Sequence, residues 1–277
     1  MRCPKISIFV FVVSAFCSLG CGDGDGGGDA GAGGQGGSEL VPASVYVFAF
    51  DPIPDQVPIE GATICQVGAD NCVTTDKRGT ATIYFPANQE IAATVEKQGY
   101  GPRVYCNVTD EYFPEGYTVP LYTHEYLASI AEQLQTPYPW KGGIVGLLRW
   151  FSPNPGVKFL PVGPTAEAVG AAYYFDSATD RYDLEIDATT YYFGLPYGPL
   201  AEGGFTEVVP GVHQFEFAGT AGDCPHASWG WPGDAPNRLR VLVMEGHTTY
   251  GSLRCDEEIP VPILGESLAS TDSDARE

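Results

Sequence analysis

Between residues 41 and 258 the apolar residues alternate in short runs, and Pro or Gly interrupts them every few positions. A period of two places successive side chains on opposite faces of an extended chain, and β-branched and aromatic residues suit that half-buried surface. The chain holds 35 Gly and 23 Pro, so the runs are cut to strand length and long helical periodicities hardly occur. The build they predict is all-β. "SVYVFAF" (44–50), "ATICQV" (62–67), "TATIYF" (80–85), "EIAATVEKQGY" (90–100) and "YTVPLYT" (117–123) read as strands. "TTDKRG" (74–79) between them is a tight turn, in which Asp76 bonds its own downstream backbone and Gly79 takes positive φ. About six or seven such strands in roughly 80 residues predict a β-sandwich over 41–122.

The same stretch carries a family resemblance. Gly61 and Ala62 follow a turn, Thr75, Asp76 and Gly79 precede a strand, and a later strand ends in the pair Gly99 and Tyr100. In that order these residues resemble the carboxypeptidase regulatory-like domain, a transthyretin-like sandwich close to the CNA-B repeats of surface proteins. The match spans about residues 43–122. The resemblance implies a scaffold rather than a catalyst, because the family's hallmark positions are turn and core residues.

Residues 123–140 break the pattern. Thr123 is placed to cap a helix, Glu125 sits in its first turn, and Leu127, Ile130, Ala131 and Leu134 share one face. Pro137 and Pro139 end it. An amphipathic helix is therefore predicted to link the first sandwich to a second, more divergent one over 141–258. In that second half "KGGIVGLLRWF" (141–151), "AVGAAYYFD" (168–176) and "GGFTEVVPGVHQFEF" (203–217) read as strands, and "RLRVLVMEGHTTYGSLRC" (238–255) as a last hairpin. "VVPGVHQFEF" resembles the Pro-Gly-x-Tyr turn of regulatory-like and CNA-B domains, with His213 in the Tyr place. The expected class is thus all-β, tandem Ig-like or transthyretin-like sandwiches joined by one short helix.

The ends of the chain give an address. Arg2 and Lys5 precede an apolar run from Ile6 to Phe16 that is too short to span a bilayer, so residues 1–20 read as an export signal. "SLGC" (18–21) across the cleavage point resembles the lipobox of bacterial lipoproteins, which implies acylation of Cys21. It also fits ordinary signal peptidase and plain secretion. In the segment 21–40, Cys21 is followed by "GDGDGGGDAGAGGQGGSE" (22–39) with almost nothing able to bury area, a flexible tether of the kind an anchored domain needs. Its Asp and Gly lack the spacing and closing Glu of an EF-hand. Residues 259–277 close the chain as a polar, acidic tail.

Charge narrows the partners. The chain has 14 basic and 35 acidic residues, and loss of Arg2 and Lys5 with the leader leaves 12 against 35, a net −23. Nucleic acid and anionic lipid head groups are repelled by such a surface. The expected partners are a membrane, through the anchor, and a glycan or an envelope protein. No cofactor or metal is expected, since His124, His213, His226 and His247 form no HExxH and stand at no ligand spacing. No Gly-x-Ser-x-Gly elbow or phosphate loop occurs. Three functions remain: a non-enzymatic adhesion or accessory surface, which the scaffold favours; a carbohydrate-binding module; and a hydrolase whose site assembles only in space. The module would use Trp229 and Trp231 with Tyr191, Tyr192 and Tyr197, planar rings set near turns, provided the two tryptophans lie exposed in one groove.

Six of the eight cysteines lie beyond the leader, in a compartment where disulfides persist. Cys65 and Cys72 flank "QVGADN", and Cys224 and Cys255 flank the last strands. Pairs 65–72 and 224–255 are predicted, closing rings of about 8 and 32 residues worth roughly 2.5 and 3.7 kcal/mol of loop entropy. Cys106 is left as a buried free thiol.

Overall fold

Strand β1 (Leu40–Phe50) organises the first half because it has neighbours on both sides. It pairs antiparallel with β5 (Thr80–Pro86) from Leu40–Pro86 to Tyr46–Thr80, and with the short β2 (Val57–Pro58) beyond. Its other edge runs parallel to β8 (Gly116–Tyr122), from Ser44–Gly116 to Phe50–Tyr122. The alternation read from the sequence holds: Ala43, Val45 and Val47 point inward and are buried, while Leu40, Pro42 and Ser44 face out. A second layer, β4 (Cys72–Thr74), β3 (Thr63–Gln66), β6 (Glu90–Glu96) and β7 (Arg103–Val108), lies opposite. Ile64, Ile83, Phe85, Val95, Tyr105 and Val119 fill the space between the layers. This computed structural model describes residues 39–254 apart from 51–55, 111–115, 151–155, 177, 187, 190–191, 195–197, 220–223 and 225.

The turns of residues 58–80 hold one another. Buried Thr75 accepts the Ala62 amide at 2.8 Å and donates to the Ile59 carbonyl at 2.7 Å, and its carbonyl accepts the Gly61 amide. Gly61 and Gly79 both sit at positive φ, and a Cβ on Gly79 would run into the Val47 carbonyl. Asp76 Oδ1 accepts from the Thr80 amide, the Thr80 hydroxyl and the Arg78 amide, each at 2.9 Å. Those bonds, the Thr80 amide first, hold the Asp76 carboxyl down at about 2. A folded value below the ordinary one of about 3.9 stabilises the turn above that pH, and the contribution fades as pH falls toward 2. The expected result is an Asp76 carboxyl titration by NMR with its midpoint near 2, moving the Thr80 amide with it; a midpoint near 4 would show the bonds are not made in solution. Next door, Cys65 and Cys72 face each other in the β3–β4 register and are joined by a disulfide. Within their loop, Asn71 Nδ2 donates to the Tyr84 carbonyl at 2.7 Å, so the stapled hairpin also covers the β5 edge.

Helix α1 (His124–Gln133) forms where its cap and apolar spacing place it. The Thr123 hydroxyl accepts the Tyr126 amide, and Leu127, Ile130, Ala131 and Leu134 are buried against Trp140, Ile144 and Tyr173. The second half then lays β9 (Gly143–Trp150), β10 (Lys158–Val162), β11 (Ala172–Asp176), β12 (Arg181–Asp183), β13 (Tyr192–Gly194) and β14 (Gly198–Val208) into two layers. Strands β15 (Gly211–Ala218), β16 (His226–Trp229), β17 (Trp231–Pro232), β18 (Arg238–Val243) and β19 (Thr248–Arg254) complete them. One layer runs β10-β15-β18-β17, the other β12-β11-β14-β9-β19, and Leu147, Phe159, Phe205, Phe215, Phe217 and Val241 pack between them.

Two features depart from the sequence reading. Strands β18 and β19 are no hairpin: β18 pairs with β15 and β17, while β19 pairs with β9, β16 and β7, so residues 244–247 carry the chain from one layer to the other. Leu239, Val241 and Val243 at alternate places of β18 and Thr249 and Leu253 of β19 are buried either way, and the pattern alone does not say in which sheet. The β19–β7 pairing, Thr248–Arg103 and Thr249–Val104, also makes a single sheet continuous through both halves. Strand β7 is consequently covered on both faces, with Tyr105 in the first core and Val104 and Cys106 against the second half. A strand buried on both faces loses the alternation of a solvated one.

Candidate functional site

The predicted sugar-binding aromatics go to the interior instead. Trp231 is 8% exposed, packs with Ala92, Val104 and Cys106, and donates its indole N–H to the Ile91 carbonyl at 2.9 Å. The Arg240 guanidinium lies 5.8 Å from its ring centre and is paired with Glu90. Trp229 is half-buried on the edge of the first core, 5.6 Å from the buried guanidinium of Arg103, which stands 4.2 Å over Tyr250. The expectation of two exposed tryptophans in one groove is therefore corrected: where two halves meet, the largest apolar side chains are the ones that close the seam. Tyr192 lies on β13, and Tyr191 and Tyr197 fall outside the described residues.

The other chemistry-bearing residues are tied into structure. Cys106 is a free, buried thiol pushed up to about 12 by burial, its sulfur accepting the Leu242 amide at 3.3 Å. Cys224 is buried and disulfide-bonded; Cys255, its proposed partner, lies outside the described residues, as does Cys21. His213 is buried with Nε2 on the Val209 carbonyl at 2.6 Å, His247 sets Nδ1 on the Glu245 carbonyl at 2.7 Å, and His124 meets the Tyr138 hydroxyl at 2.5 Å. Burial pushes Tyr173, Tyr182 and Tyr250 well above their ordinary range, so each stays a protonated donor; Tyr182 donates to Glu202 at 2.8 Å. Among the described residues no three His, Cys, Asp or Glu come together to hold a metal.

One surface of this acidic chain is free of charge, and the sequence did not single it out. On the outer side of its sheet β1 carries Leu40, Pro42, Ser44, Tyr46, Phe48 and Phe50, of which Phe48 is buried and Tyr46 half-buried, their rings stacked 5.7 Å apart. Cross-strand partners share a face, so Pro86, Tyr84, Thr82 and Thr80 of β5 stand beside the first four. Gly116, Thr118, Pro120 and Tyr122 of β8 stand beside the last four. None of these side chains is charged, although the chain carries a net −21. The signal was present in the sequence as three charge-free strands, but not which of their faces would be open. At one end α1 lays Tyr126 against Tyr122, with ring centres 5.3 Å apart, and against Phe50. The other end is open, with Leu40 56% and Tyr84 53% exposed. Ser44, Thr80 and Thr82, which lie between Tyr84 and Tyr46 in the register, line an open depression of about 510 Å³ together with Asp76 and Arg78.

No family model matches the chain, and no curated protein does. Its fold has distant likenesses among solved structures. A type II cohesin–X-dockerin complex from Acetivibrio cellulolyticus matches at 22% identity and TM-score 0.24, over 30% of this chain and 58% of that one. The minor pilin GBS52 of Streptococcus agalactiae matches at 11% identity and TM-score 0.21, over 79% of this chain and 98% of that one. A family 26 carbohydrate-binding module of Eubacterium rectale Amy13K, in complex with maltoheptaose, matches at 9% identity and TM-score 0.26, over 76% and 93%. At these TM-scores the likenesses carry nothing about function.

Proposed function

We propose that this chain is a non-enzymatic binding protein of the cell envelope, exported, lipid-anchored at Cys21, and held off the membrane by its Gly-rich tether. Its scaffold is of the carboxypeptidase regulatory-like kind, and its contact surface is the outer face of the β8-β1-β5 sheet. The observation that carries this reading is the absence of charge from that face in a chain of net charge −21. Ionic side chains keep a surface hydrated, and their removal lowers the cost of bringing a partner onto it. Loops tied to backbone and a stapled hairpin hold the face rigid, which limits the entropy lost on binding.

Cells producing the full chain test it. Thr82→Glu places a carboxylate at the centre of the open face at an exposed position, so folding is expected to stand while adherence drops about tenfold. Cys21→Ser is expected to move the protein from the membrane fraction to the medium or the periplasm and to remove acyl labelling. Unchanged adherence of the Thr82→Glu cells overturns the assignment of the face. A wild type that takes no acyl label overturns the anchor alone and leaves secretion.

A further inference from the structure

Resting on the reading of this face as the contact surface, we propose that its ligand is a neutral polysaccharide, laid across β1 and β5 between Tyr84 and Tyr46. The register sets Tyr84 beside Pro42, so the two tyrosines stand four residues apart along β1, about 14 Å at the rise of a strand. That is room for a short run of sugar rings. Between the tyrosines the outer face carries small side chains, Ser44 and Thr82 opposite each other, over an open depression of about 510 Å³. Among the described residues the Ser44 and Thr82 hydroxyls have no hydrogen-bond partner. A hydroxyl both donates and accepts, which matches the hydroxyls of a sugar, and the exposed Tyr84 ring, with the half-buried Tyr46 ring backed by Phe48, offers the flat apolar face that the C–H side of a pyranose covers.

Charge selects the class. Asp76 and Arg78 also line the depression, paired with each other at 3.4 Å, and the Asp76 carboxylate is further occupied by its own turn. The Arg78 cation is offset by the Asp76 carboxylate beside it, and the net charge of −21 repels a uronate or a sulfate. A cationic partner would find its complement on the acidic remainder of the surface and not here. A second copy of the chain would have to bring its own net −21 up to the rim. A neutral chain of hydroxyls meets neither obstacle.

The test is titration calorimetry of the full mature chain with cello-, xylo-, manno- and maltohexaose, with oligogalacturonate as the anionic control, alongside sedimentation of the same samples. Binding of at least one neutral oligosaccharide and none of oligogalacturonate is expected. Tyr84→Ala and Tyr46→Ala should each weaken it about tenfold, and Thr82→Glu should remove it. Trp229→Phe, away from the face, should leave it unchanged. No binding to any neutral oligosaccharide, or Tyr84→Ala binding as the wild type does, overturns the proposal. So does a dimer in sedimentation that Thr82→Glu dissociates, which would make a second copy the occupant. If Thr82→Glu cells lose adherence while no neutral glycan binds, the face stands and the sugar assignment falls; if adherence is unchanged, the face itself falls.

Discussion

Replacing Trp231 by alanine is expected to lower the unfolding free energy by about 4 kcal/mol, measured by urea denaturation. The indole closes the seam between the halves: it is buried against Ala92, Val104 and Cys106 on the back of β6 and β7 and donates to the Ile91 carbonyl. Truncation leaves a cavity there and an unpaired carbonyl, two costs that add. The β19–β7 pairing and the Arg240–Glu90 pair still join the halves, so a single unfolding transition is expected to remain. Trp231→Phe keeps most of the packing and forgoes only the indole N–H, so about 1 to 2 kcal/mol is expected. A Trp231→Ala protein within about 0.5 kcal/mol of the wild type would show that the seam contributes nothing to stability.

Gly204→Ala is the second large effect, at about 3 kcal/mol or more, because a methyl group there has nowhere to go. Gly204 lies in β14 between β9 and β11, opposite Gly146 on one side and Tyr173 on the other. The Tyr173 ring crosses over it so that the hydroxyl donates to the Val145 carbonyl at 3.1 Å. An added Cβ would run into that carbonyl and come within 2.8 Å of the Tyr173 hydroxyl. Gly203 under Tyr174 and Gly146 under Tyr250 repeat the arrangement. Tyr173→Phe, which keeps the ring and loses one hydrogen bond, should cost only about 1 kcal/mol. Thermal unfolding of the two variants decides it: equal losses would mean that the hydroxyl, and not the close approach of the ring, is what Gly204 permits.

Those glycines show why much of the aromatic content was illegible beforehand. In the sequence, "EGGF" and "AAYYFD" are a weak strand and a cluster of rings near turns. In the fold each Tyr covers a Gly on a neighbouring strand, a pairing between residues about thirty or more positions apart that no local pattern records. The open face was half legible. Strands at 40–50, 80–86 and 116–122 are free of charge as written, but only the pairing of β1 with both β5 and β8 brings their outer positions onto one surface.

What the sequence by itself determined is everything set within a few residues. The alternation of 44–50 and 80–85 follows from a period of two. The Asp76 turn follows from a side chain reaching the amides two and four positions on, and the start of α1 from Thr123 capping the amide three positions on. What only the tertiary structure decided is which face of a strand meets which partner. The Trp231 indole finds its acceptor 140 residues away, and Thr248 and Thr249 join the halves into one sheet by pairing with Arg103 and Val104. The hydrophobic effect rewards burial of a tryptophan without specifying the neighbour, so its place is settled by the packing of the whole chain.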